Sequence, residues 1–196
     1  MSQDADVPKP TSSHWRDGLL LKITNVAAYF LLLGSNVYAV ASPQSAYYNI
    51  KQTYLTPASW FFFVWSVTHV FLLGTVIYQF TSAHAKAVII DGISWNFPIL
   101  VIFNITLVTF WAHHYYFAAF VFSVLSSLFV TQIYLTVKKE YSPKSIGDEL
   151  FVNLPFGLWN GWATVLIFLT AFEAFGVNAD KHPPGLGTQV CVFFAL

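Results

Sequence analysis

The sequence predicts an all-α, polytopic transmembrane helical bundle, with five spans plus the start of a sixth segment. Three observations carry that reading. Charged residues make up 9% of the 196 positions, against roughly 25% in an ordinary soluble domain, too few to cover a soluble protein of this size. Hydrophobic residues reach 56%. They also fall in runs long enough to cross a hydrocarbon core of roughly 30 Å at about 1.5 Å per residue.

Residues 1–18 read as a polar tail, in which Pro8 and Pro10 discourage regular structure. No apolar segment with a small-residue cleavage site follows its charges, so it does not read as a cleaved signal peptide. A five-helix transmembrane domain is expected over residues 19–175. Its first span runs from Leu19 to Val40, with Lys22 placed to snorkel toward the interface and Ser42, Pro43 and Gln44 ending it. The second runs from Pro57 to Phe80, with Pro57 in the first turn, where a missing N–H is tolerated. The third covers Phe97 to Trp111, starting near Ile93 with Pro98 early in the helix. Phe117 to Val137 is the fourth, stopped by Lys138, Lys139 and Glu140. Leu150 to Phe175 is the fifth, with Pro155 in its first turn; Gly176 closes it and Pro183, Pro184 and Gly185 follow. Residues 176–196 then form a loop and an incomplete or interfacial sixth segment, since Thr188 to Leu196 is apolar but too short to cross. The run reads best as the opening of a further helix in a truncated sequence.

Lys and Arg are unevenly shared between the two sides that alternation implies. Lys9, Arg16, Lys22, Lys86, Lys138, Lys139 and Lys144 fall on one side, and only Lys51 and Lys181 on the other. The positive-inside bias therefore places the N-terminus in the cytoplasm or its equivalent. A formal net charge of zero offers no basic patch for nucleic acid. The single Cys191 rules out an intrachain disulfide and a multi-thiolate metal site.

Ionisable groups inside a span are candidate functional sites because they are costly unless paired or wet. Apart from Lys22, two qualify. Glu173 lies in the last turn of the fifth span, where a solvated helix end suffices to explain it. His69 sits near the middle of the second, and either bonds a neighbouring helix through a hydroxyl such as Thr106 or Ser123, or contacts a ligand. A bis-histidine haem is not expected. His113 and His114 lie at the outer end of the third span, about 15 Å from the depth of His69. No catalytic constellation, metal-ligand spacing or phosphate-binding loop is present, and no cofactor is expected.

Tryptophan gives the strongest signal. Trp15 and Trp95 fit an interfacial belt, whereas Trp60, Trp65, Trp111, Trp159 and Trp162 extend toward or into apolar spans. Trp65 and His69 are four apart and Trp159 and Trp162 three apart, so each pair shares a helix face. With Asn104 and Asn160 nearby on their spans, these rings outline an aromatic pocket with a few polar contacts. The plainer alternative is tight packing plus a lipid-facing belt.

The stretch from Thr56, Pro57, Ala58, Ser59 and Trp60 to Val64-Trp65, continuing through His69, Gly74, Tyr78 and Gln79, resembles the second helix of the tryptophan-rich sensory protein/translocator protein (TspO) family. Leu154-Pro155-Phe156-Gly157-Leu158-Trp159-Asn160-Gly161-Trp162-Ala163-Thr164 looks like that family's fifth helix, and Asn104 and Trp111 match its third. The resemblance covers roughly residues 20–175, and a sixth segment suggests the family's longer subgroup. Three positions depart from the pattern: His69 stands where the family usually has Tyr, Leu107 replaces an expected Trp, and Thr170 replaces a common Asn.

The resemblance implies a sensor, receptor or transporter that binds a tetrapyrrole or sterol in a pocket between helices, opening outward under the loop at residues 41–56. The ligand-binding set would be Trp60, Trp65 and His69 on one wall, Asn104 and Trp111 on a second, and Trp159 and Trp162 on a third. Expected partners are the lipid bilayer, that ligand and a second copy of the chain. Two rivals stay open: a structural or accessory membrane subunit without a ligand, and a membrane enzyme acting on a lipid or tetrapyrrole.

Overall fold

A computed structural model describes residues 18–41, 51–176, 179 and 184–195. The polar tail up to Asp17, the breaker Ser42-Pro43-Gln44, and Lys181 and Pro183 lie outside the described residues.

The described residues contain helices and no strand. Helix α1 spans Leu19–Ala41, and a 3-10 turn at Ser59–Phe62 leads into α2, Phe63–Tyr78. Helix α3, Ala83–Ala87, widens into a π turn at Val88–Ile93, and α4 follows at Asn96–Ala112. Helix α5 is Tyr116–Glu140. The short α6, Ile146–Asp148, passes through a second π turn, Glu149–Asn153, into α7, Leu154–Phe175; α8 is Leu186–Ala195. At ten residues α8 is too short to cross a bilayer.

Among the described residues, four helical stretches are long and apolar enough to span: Leu19–Ala41, Trp60–Tyr78, Tyr116–Glu140 and Ile146–Phe175. The third expected span is built differently. Ala83–Ile93 and Asn96–Ala112 together make a broken fifth span, bent by 68°. Ser94 sits at the bend with φ 49° and ψ −135°, a conformation that strongly favours glycine. The 17 residues of α4 cover only about 25 Å at 1.5 Å per residue, so the preceding arm supplies the rest of the apolar length.

Proline and glycine explain two local features. Pro155 lies in the first turn of α7, but helical backbone already precedes it. A proline ring clashes with the carbonyl four residues back in a regular helix, and the π turn just before it gives the backbone another path. A Cβ on Gly74 would collide with the Phe151 ring, so glycine there lets α2 approach the start of the α7 segment closely.

The C-terminal end of α4 closes without glycine. His114 takes the left-handed conformation, φ 62°. Its N–H donates to the Trp111 carbonyl, and the Tyr115 N–H donates to the Phe110 carbonyl, both at 3.0 Å. This is the Schellman arrangement, and the Tyr115 and Phe110 rings make the apolar contact that commonly accompanies it.

The helices close a ring in the order α1, α4, α5, α7, α2. Helix α5 packs most extensively, against α7 and α4, and the contact of α1 with α2 is the sparsest joint. Small hydroxyl residues let α5 and α7 approach and bond. Ser123 Oγ lies 2.8 Å from Thr170 Oγ1, and Thr131 Oγ1 donates to Asn160 Oδ1 at 2.6 Å.

Two charged residues are more enclosed than expected. Lys22 is buried instead of extending to an open interface, with Nζ 5.6 Å from the Phe80 ring centroid. Glu173 is buried instead of solvated. Lys51 Nζ donates to the backbone carbonyls of Glu173 (3.1 Å) and Gly176 (2.7 Å), covering the α7 terminus. A cation there complements the helix dipole.

Candidate ligand cavity between α1 and α2

The sparse α1/α2 joint holds a cavity of about 630 Å³, within the usual range of small-molecule sites. From α1 it is lined by Tyr29, Leu33, Asn36, Val37, Val40 and Ala41. The other wall runs from Trp60 to Leu73, including Trp65, Ser66 and His69. That wall is roughly 20 Å long at about 1.5 Å per residue. Its rim is exposed and apolar, with Val37, Trp60, Phe63 and Val70 all more than half exposed. In a membrane such a rim faces lipid, so the cavity is a groove open on the flank of the bundle.

Four polar residues meet the groove, and their hydrogen bonds differ. Trp65 Nε1 donates to Asn36 Oδ1 at 2.8 Å, and Asn36 Nδ2 donates to the Leu32 carbonyl at 2.8 Å. Tyr29 donates its hydroxyl to the His69 carbonyl at 3.1 Å. Ser66 is exposed on the wall. The His69 ring is buried between Trp65 (centroids 5.0 Å apart) and Tyr29 (6.2 Å), both edge-on. Among the described residues, neither of its ring nitrogens has a hydrogen-bond partner. The hydroxyls considered from sequence are used elsewhere: Thr106 donates to the Ile102 carbonyl, and Ser123 bonds the Phe120 carbonyl and Thr170.

Of the seven residues singled out in the sequence, Trp60, Trp65 and His69 line this groove. Asn104, Trp111, Trp159 and Trp162 are buried and line no part of it. Trp65 joins the two sets. Its ring lies 5.3 Å from Trp159 and 6.1 Å from Trp162, the latter nearly parallel at 18°. Phe61 and Phe62 pack on Trp162, and Phe97 on Trp159. The interior side of Trp65 is thus a packed aromatic core, and its other side faces the groove.

Tyr29 and Asn36 were not singled out from sequence. Asn36 carried the same signal as Asn104, an amide inside an apolar span. Its role depends on Trp65, whose N–H it accepts. Tyr29 gave no separate signal among the chain's many aromatics.

A family model described as TSPO-like protein matches residues 22–193. No curated protein and no solved structure matches the chain.

Proposed function

From the chain's membership of the TSPO-like family, and from a helical bundle with four or five spans of membrane-crossing length, we propose that this integral membrane protein binds a neutral, sterol-class lipid in the α1/α2 groove, as a sensor or transporter of that lipid. The observation that carries the proposal is the His69 imidazole, the buried polar side chain on the groove with both ring nitrogens unpartnered. A neutral imidazole offers one donor and one acceptor, so a turn of the enclosed ring toward the groove lets a lone hydroxyl pair with one of its nitrogens in either tautomer. Among the described residues, the groove lining contains no Lys or Arg. A tetrapyrrole bearing carboxylates would leave that charge uncompensated in an apolar site, which is costly. A lipid with one hydroxyl and an apolar body avoids that cost.

Substituting phenylalanine for His69 keeps the ring and removes both nitrogens. Sterol affinity should fall about two- to tenfold, the worth of one cavity hydrogen bond. Thermal stability in detergent should change little, because no other helix bonds the ring. Unchanged affinity with reduced stability would assign His69 to packing and favour the accessory-subunit reading.

We also place the N-terminus and the segment between α5 and α6 on the cytoplasmic side, because the Lys and Arg residues concentrate there. In sealed right-side-out vesicles, a Ser142→Cys variant that also carries Cys191→Ser, which removes the exposed native thiol, should resist an impermeant thiol reagent until the membrane is opened. Labelling before opening would reverse the orientation.

A further inference from the structure

Toward the Gln79 end of α2, apart from the groove, a second cavity of about 10 Å³ lies within the bundle. Asn25 of α1, Thr75 and Val76 of α2 and Gln79 just after it line it, with Ile89 and Ile93 from the π turn after α3. Asn25 is 4% exposed and Gln79 1%. Among the described residues, Asn25 Oδ1 and Gln79 Oε1 are both buried without a hydrogen-bond partner. The other end of the Gln79 amide is occupied, since Nε2 donates to the Val76 carbonyl at 2.9 Å and approaches the Lys22 carbonyl at 3.5 Å. Those contacts fix the amide orientation, because a flip would set Oε1 against two carbonyl oxygens. The Thr75 hydroxyl is also committed as a donor, to the Phe71 carbonyl at 3.1 Å.

The cavity therefore presents the Gln79 and Asn25 amide oxygens, both unpartnered among the described residues, beside the Thr75 hydroxyl and apolar side chains. Buried acceptors of this kind are normally satisfied, by protein or by ordered water. A guest must donate twice and be very small. The volume is close to the roughly 10–15 Å³ that one water molecule needs. A bare divalent cation would require about six oxygen ligands, more than this lining offers.

We propose that a single internal water molecule occupies this cavity, donating one O–H to Asn25 Oδ1 and the other to Gln79 Oε1. The water bridges α1 to α2 at the end of their joint away from the groove. It fastens the two helices there while they stand apart along the groove wall.

The test uses the intact protein in detergent micelles, with labelled Val and Ile methyl groups and nuclear Overhauser transfer from the water resonance. Methyl protons do not exchange with water, so transfer to them reports proximity directly. In wild type, transfer to the methyls of Val76, Ile89 and Ile93 is expected. Asn25→Leu and, separately, Gln79→Met should each abolish it, while methyl resonances away from the cavity keep their positions. Absence of transfer in wild type would overturn the proposal. So would transfer that survives both substitutions unchanged, because the water would then not be held by these two oxygens.

Discussion

Replacing Trp159 by alanine should destabilise the bundle by about 3–5 kcal/mol, the usual range for emptying a buried tryptophan site. Trp159 is fully buried, and its ring packs between Trp65, 5.3 Å away, and Phe97, 6.2 Å away. Within a membrane the hydrophobic effect does not hold helices together, so such close packing carries much of their association. Removing the ring leaves a void shared by α2, α4 and α7. Trp159→Phe should cost clearly less. The Trp159 N–H is itself buried without a partner among the described residues, and phenylalanine removes that unsatisfied donor, which offsets part of the lost contact. Unfolding in mixed detergent micelles compares the two variants. Equal losses would show that the indole N–H has a partner worth keeping. Neither variant should move sterol affinity by more than its effect on folding, because Trp159 does not line the groove.

Ser66→Trp should act in the opposite way, abolishing binding while sparing the fold. Ser66 is exposed on the groove wall, between Trp65 and the lipid-facing Val67. An indole there projects into the cavity without displacing any core side chain. Sterol affinity should fall at least about tenfold, or more than 1.4 kcal/mol, with little change in the melting midpoint. Full retention of affinity would place the ligand elsewhere in the bundle.

The spans were legible because uninterrupted apolar runs of membrane length need no periodicity to be recognised. Helix α1 begins at Leu19 and α7 ends at Phe175, where Lys, Gly and polar residues had marked the limits. The 68° break in the third span was not legible. Its corner is Ser94, a residue that gives no sequence signal for φ 49°. The π turn before Pro155 was hidden for a related reason, since the proline marks a first turn equally well.

Burial of the charged residues also depended on distant partners. Glu173 is enclosed because Lys51, far away in sequence, caps the end of its helix. Lys22 is enclosed because the end of α2, with Phe80 and Gln79, lies over it.

The candidate groove was half legible, and the reason is general. A helix that is apolar all round does not reveal which face turns inward. Shared helix faces correctly paired Trp65 with His69, and Trp159 with Trp162. The spacing did not show that the second pair packs behind Trp65 as a core, while His69 faces a groove. Asn36, which holds the Trp65 N–H, shows that intramembrane amides belong in such a search with tryptophans and ionisable groups.

Photolabelling with a sterol that carries a photoreactive group, followed by mapping of the modified peptides, tests the central claim most directly. Adducts should concentrate on groove residues of α1 and α2, such as Val37, Val70 and Leu73. They should be competed away by excess unlabelled sterol and should disappear in Ser66→Trp. Adducts on the buried residues Asn104 and Trp162, or labelling spread over the outer faces of α4 and α5 that excess sterol does not compete, would contradict a binding site between α1 and α2.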